Sequence, residues 1–266
     1  MAEHVNLYDR AKYYDVIFKR DVSKEIKFVE DAYAKFTSGG KIKSVIDVAC
    51  GPGYHARAFA GKGIKACGLD LRGEMLRHGD EDAKKDGTDT SLLQWIEADM
   101  RTFKLEKPVD AAFVMFDGLD CLLSNEDLIA HFKAVGANLT PKGIYVVDLS
   151  HPKEVSFGHY KRFHYSGNRD GVQVDIHWAI NDPKYDLATG IAKNVGLELR
   201  VNDHGKEIVV RDYADERLMY PQEVNLLAQL SQSLKVVEWF GDFNIHQPLD
   251  HSDKSERMIA VLQKVG

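Results

Sequence analysis

Between residues 44 and 147 the chain alternates short apolar runs with amphipathic segments, and no other feature restricts its fold as tightly. Ser44–Val48 (SVIDV) is short, apolar and β-branched, as a strand buried on both faces requires. Residues 64–69, 92–96, 109–115 and 144–147 read the same way. Between these runs, Gly73–Lys85 and residues 125–139 carry helical spacing. Residues 24–36 do so as well, with Ile26, Val29, Tyr33 and Phe36 on one face and Gly39-Gly40 as the stop. Parallel neighbours need a long crossover between them, so this alternation predicts a parallel sheet with helices packed on its faces.

After Pro152 the period changes from helical to two. From about residue 159 to 219, runs such as VQVDIHWAI, AKNVGLELRV and KEIVVRDYADERL alternate polar with apolar residues, separated by NRDG, NDPKYD and NDHG. The pattern predicts three or four antiparallel strands solvated on one face. PQEVNLLAQL then starts a helix with Pro221 in its first turn, and LKVVEWFGDF and RMIAVLQKV close the chain as strands. The division expected is a core over residues 1–154, an antiparallel β insertion over 155–218, and the rest of the core over 219–266.

Charge narrows the partners. Lys and Arg total 35 against 41 Asp and Glu, a net charge of −6, which argues against binding nucleic acid by bulk phosphate neutralisation. The longest apolar runs are strand-sized, the first residues (MAEHVNLYDRAKYYD) lack a signal-like apolar stretch, and Cys50, Cys67 and Cys121 form no CxxC pair. These features predict a cytoplasmic protein with no membrane partner. His246, Asp250, His251 and Asp253 lie close in sequence but lack the spacing of a zinc enzyme, so no metal is expected.

The sharpest local signal is Asp47-Val48-Ala49-Cys50-Gly51-Pro52-Gly53, a buried strand running into two glycines with a helix-compatible segment after them. Glycines permit a tight strand-to-helix turn and a close approach of ligand to backbone. Asp70 ends the next strand, about 20 residues on, where an acid can hold the two hydroxyls of a ribose. Asp99 ends the strand after that. Asp47, just ahead of the glycines, is awkward for a pyrophosphate but suits a ligand carrying an ammonium or sulfonium. S-adenosylmethionine (SAM) combines adenosine, a sulfonium and an amino-acid tail, and so matches all three acids.

With these residues in place the sequence resembles the class I SAM-dependent methyltransferases. IDVACGPGYHARA, GLDLRGEML, EADMRTF and FVMFDGLDCLL look like the first four family motifs in order, and LTPKGIYVVDLSHP like the loop and fifth strand that follow. Within that group the chain is most similar to small-molecule N-methyltransferases, including amino-sugar N,N-dimethyltransferases. LYDRAKYYDVIF, the β insertion and ERLMYPQEVNLLA carry that likeness. The resemblance implies a Rossmann-like core with a seven-stranded, mostly parallel sheet, the insertion roofing an acceptor pocket, and the N-terminal segment folded over the cofactor as a lid.

It also implies roles. Gly51, Gly53 and the small Ala49 would approach the methionine part of SAM, with Asp47 facing its ammonium through the loop. Asp70 would take the ribose hydroxyls, Leu71 and Met75 would pack on the adenine, and Asp99 with the Met100 backbone would read its amino edge. Phe116 or Asp117 would sit near the sulfonium, with Tyr8, Tyr14, Asp117 and His151 the polar groups around the methyl. Cys121 stands where the amino-sugar enzymes carry a histidine. The activity expected is methyl transfer to an amine or hydroxyl of a small molecule by in-line displacement, without a strong base. Two other readings stay open: an RNA or protein methyltransferase, and a non-catalytic SAM-binding module. The sequence leaves the oligomeric state open, a homodimer included.

Overall fold

The computed structural model describes residues 7–154, 158–250 and 252–265. Residues 1–6, 155–157, 251 and 266 lie outside it, so His251 and the first residues of the expected insertion are not placed. The alternating region forms β1 (Ser44–Val48), β2 (Lys65–Asp70), β3 (Leu93–Glu97), β4 (Val109–Val114) and β5 (Leu139–Ser150). The helices are α1 (Ala11–Phe18), α2 (Ser23–Phe36), α3 (Tyr54–Gly61), α4 (Gly73–Lys85) and α5 (Asn125–Asn138). The insertion gives β6 (Phe163–Arg169), β7 (Val172–Trp178), the short β8 (Tyr185–Asp186), β9 (Ile191–Asp203) and β10 (Lys206–Arg217). Then come α6 (Pro221–Ser231), β11 (Leu234–Phe240) and β12 (Arg257–Lys264).

Seven strands form one sheet in the order β11-β12-β5-β4-β1-β2-β3. Within it β12 runs antiparallel to both neighbours, and the rest are parallel. Both faces are covered because the strands are apolar on both sides. Ile46, Val48, Val114 and Val147 pack with Leu128, Phe132 and Leu227 of α5 and α6. Val45, Ala111, Phe113 and Val146 pack with Ile26, Val29 and Phe59 of α2 and α3. β1 lies between β2 and β4, so the chain order reverses direction beside it and leaves a crevice at the C-terminal ends of these strands.

β5 begins five residues earlier than its apolar run because residues 140–143 form a bulge, with Lys142 at φ 67°. The antiparallel sheet has the order β10-β9-β7-β6, with β8 paired to β9. The expectation of one solvated face fails in the middle of β9. Residues 195–199 are buried on both faces there, because Arg200 and Arg211 fold over the Glu198 carboxylate. The other face of the sheet, with Val174, Ile176 and Leu199, packs against Tyr13, Val16 and Ile17 of α1. Helix α1 therefore lies between the second sheet and α4. Among the described residues, no helix is long and apolar enough to cross a membrane.

Candidate active site

The loop after β1 is shaped by two glycines for different reasons. Gly51 has φ 54°, and a Cβ built on it meets nothing within 4 Å, so its backbone faces open space. Gly53 has φ 69°, and a Cβ there would lie 2.4 Å from the Trp95 ring. The Asp70 carboxylate joins this loop to the next, accepting from Gly51 N–H at 2.8 Å and Arg72 N–H at 2.8 Å. Burial raises the Asp70 pKa against the opposing pull of these amides. Asp47 is 2% exposed beneath the loop, where Ala56 N–H supports it and its Oδ2 has no hydrogen-bond partner. Burial drives its pKa well up, and it drives neighbouring His55 down to about 3.

The residues expected around an adenine separate in the structure. Leu71 is 63% exposed at the end of β2, an apolar side chain presented to the crevice. Met75 has no exposed surface: one turn into α4 it points inward, and it is a packing residue rather than a crevice wall. The Asp99 carboxylate is clamped by Arg101, which donates from its backbone N–H at 2.8 Å and from Nη2 at 2.6 Å. Arg101 in turn pairs with Asp127 at 2.7 Å. Nothing in the sequence marked His131, yet it secures this loop. Its Nδ1 lies 3.0 Å from the Met100 carbonyl and its Nε2 lies 2.6 Å from the Tyr145 hydroxyl. Donation to the carbonyl and acceptance from the tyrosine define a neutral ring, and burial holds the His131 pKa down at about 4.

Beyond β4, Phe116 and Asp117 both adopt left-handed backbone, at φ 55° and 61°. Such conformations cost about 1–3 kcal/mol each and persist only where the surroundings enforce them. Here Asp148 enforces them: its Oδ2 accepts from Phe116 N–H at 2.8 Å, and its carbonyl accepts from Asp117 N–H at 3.3 Å. Phe116 is 48% exposed and reaches the Phe18 ring at 5.7 Å. Asp117, expected among the groups around the methyl, is engaged by its neighbours. It accepts from Ser150 Oγ at 2.8 Å and from Arg257 Nη1 at 3.0 Å, while Arg257 Nε holds Asp148 at 2.7 Å. That acid is neutralised rather than free to act as a base. His151 follows β5 and accepts from Lys153 N–H at 3.0 Å.

Tyr14 and Tyr8 stand on the other side of the crevice, with ring centroids 6.0 Å apart, and Tyr14 packs against Phe18 in a tilted contact at 4.5 Å. Burial, then the charge of nearby Asp70, raises the Tyr14 pKa. Helix α1 is held down by its buried Asp15, which accepts from Tyr54 Oη at 2.7 Å and from Arg169 of β6 at 3.0 Å. Asp15, His78 and Asp82 cluster in a metal-like way. However, Lys19 at 2.7 Å from Asp82, Arg169 and Tyr54 already meet the charge there.

A crevice at the switch point, floored by a glycine loop and walled by strand-end acids, is the arrangement of a nucleoside-binding α/β domain. The family described as "Methyltransferase domain" matches residues 45–143, the segment that builds this crevice. Over 143 residues the chain is 32% identical to the dTDP-3-amino-3,4,6-trideoxy-alpha-D-glucopyranose N,N-dimethyltransferase of Streptomyces venezuelae, covering 53% of this chain and 56% of that protein. The chain spans about half the length of the curated relatives it matches. Over the whole chain the likeness to solved structures is one of fold. An S-adenosylmethionine-dependent methyltransferase from Clostridium acetobutylicum has a TM-score of 0.78 at 18% identity, over 98% of this chain and 100% of its own. CalS10 from Micromonospora echinaspora, an amino pentose methyltransferase solved with SAM bound, has a TM-score of 0.69 at 18% identity, over 99% and 100%.

Proposed function

We propose that the chain is a SAM-dependent methyltransferase acting on an amine of a small-molecule acceptor. The observation that carries this reading is the Asp70 carboxylate, which grips Gly51 N–H at the mouth of a crevice whose outer walls are the exposed Leu71 and Phe116. An acid, a glycine backbone and an apolar face are what ribose, methionine chain and adenine require. The orphaned oxygen of Asp47 under the loop supports a cationic tail in the ligand. The N,N-dimethyltransferase relative favours nitrogen over oxygen as the target.

When bound, SAM supplies a methyl group already activated by a sulfonium. The chain's own task is then to hold an acceptor in line with it, and such positioning is itself a large source of rate. Gly51, Gly53 and Ala49 line the methionine side, with Asp47 beneath. Asp70 takes the ribose, Leu71 covers the base, and Met100, fixed by His131, presents backbone to its edge. Asp99 is left with little free acceptor capacity beside Arg101. Phe116 and Tyr14 border the reacting centre, with Tyr8 and His151 further out. In this reading residues 1–154 and 219–266 make the cofactor-binding core, and residues 155–218 roof the acceptor.

The test is calorimetry with SAM and its demethylated product, followed by incubation with methyl-labelled SAM and fractionated metabolites. A labelled small amine is the expected product. SAM binding without any labelled product would favour a non-catalytic module, and absence of SAM binding would overturn the reading.

A further inference from the structure

The turn after β4 also carries Asp120, and the structure sets it opposite Glu216 of β10. A Cβ on Gly118 would lie 3.3 Å from the Ala49 Cβ, so this turn abuts the glycine loop. On its other side Arg217 N–H donates to the Asp120 carbonyl at 2.8 Å, which brings the end of β10 against the same turn. Glu216 is 6% exposed, and its carboxylate is fixed by two neutral donors, the Tyr160 hydroxyl and Trp178 Nε1, the latter at 3.0 Å. Asp120 is half-buried, and its carboxylate accepts from the Cys121 backbone N–H, with no side-chain donor among the described residues. Neither acid has an ion-pair partner among them, because Arg217 is spent on Glu223 and Arg257 on Asp117 and Asp148. Two acids this close without a counter-charge are costly to ionise together, and a cationic ligand would relieve that cost.

We propose that Asp120 and Glu216 receive the acceptor as an ammonium ion and that Asp120 takes the proton that must leave before the methyl can be transferred. This inference rests on the methyltransferase reading and names its substrate class, a cationic amine. In the step, one N–H proton passes to an Asp120 carboxylate oxygen and the electron pair stays on nitrogen. That pair forms the N–C bond to the methyl carbon as the C–S bond breaks, its electrons going to sulfur. The sulfonium becomes a thioether, the product amine carries the positive charge, and Asp120 returns its proton to water at the crevice mouth. The acids' protonation agrees with the geometry: burial, then each other's charge and that of Asp117, raises Asp120, and burial with Asp117 raises Glu216. Neighbouring Tyr160 is a poor base, because burial and the Glu216 charge raise its pKa.

The experiment uses the full chain saturated with demethylated SAM, titrated calorimetrically at pH 7 with cyclohexylammonium chloride and, separately, with cyclohexanol. The native protein should prefer the ammonium by tenfold or more. Asp120→Asn should reduce that preference to threefold or less while the demethylated cofactor binds as before. Carboxyl NMR should show Asp120 titrating above the usual aspartate range, and moving down when the ammonium is added. No ammonium preference in the native protein, or its survival in Asp120→Asn, would overturn the recognition site. An Asp120 ionised throughout above pH 4 would overturn the proton-acceptor role. Failure to bind the demethylated cofactor at all would instead strike the methyltransferase reading.

Discussion

At the scale of single residues, Asp70 and Tyr14 make separable demands. Asp70 orders two loops through its amide bonds and, in the proposed complex, also meets the ribose. Asp70→Ala should weaken SAM binding by about 2–3 kcal/mol, roughly 30- to 150-fold, in calorimetry on a folded protein. An unchanged affinity would remove Asp70 from the site. Tyr14 is held in its protonated form by burial and by the charge of Asp70, and in the proposed complex it orients rather than deprotonates. Tyr14→Phe should lower turnover by on the order of ten- to a hundredfold and leave the limbs of the pH–rate profile where they were. A limb lost with the hydroxyl would make Tyr14 the base. Asp70 stood out in the sequence because a strand-end acid beside a glycine turn is a local signal, and Tyr14 only through the family resemblance of its segment. Asp120 did not, because an acid in a turn reads as an ordinary cap until the partner strand is placed beside it.

At the scale of elements, the placement of α1 decides whether the crevice is covered. Its backbone touches the second sheet at Gly167, where an added Cβ would lie 2.7 Å from the Val16 carbonyl. A backbone atom cannot swing aside as a side chain can. Gly167→Ala should therefore shift α1, destabilise the protein by about 1–3 kcal/mol, and speed proteolytic cleavage between residues 11 and 20 when SAM is absent. Denaturant unfolding and limited proteolysis would measure the two effects, and an unmoved cleavage rate would show that α1 has another anchor. The helix itself was only faintly legible. Its contacts lie with β6, β7 and α4, which are distant in sequence, and no period within eight residues reveals them. The strands were plain by comparison, because burial on both faces or on one is written directly into their side-chain period.

Across the whole molecule, buried neutral histidine couples stability to pH. His131 has a folded pKa of about 4 against 6.5 for a free ring, so the unfolded chain binds more protons between these values. Stability therefore rises with pH over that window and is lost as pH falls through it, by on the order of 3 kcal/mol from this residue when the ring is fully charged. His131→Gln should flatten the acid limb of a stability–pH curve measured by denaturant unfolding between pH 4 and 6.5. A limb of unchanged depth would assign it to His55, the other histidine that burial holds neutral. The same network ties the β3 loop to the centre of β5, so its loss should also weaken SAM binding through the Met100 peptide.

Strand and helix identity, the parallel core, the second antiparallel sheet and the glycine crevice all follow from periods and spacings within some twenty residues of one another. Local sequence determines these because side-chain burial repeats with the backbone's own geometry. The charge state of the site was decided only in three dimensions. Asp117 is neutralised by Arg257, which lies on the last strand, and Met75 is buried on the inward face of α4. Asp120 meets Glu216 only because β10 returns to the turn after β4. Electrostatics depends on distance and burial rather than on order along the chain, so which acid is paired and which is left for a ligand emerges only when the sheets are packed.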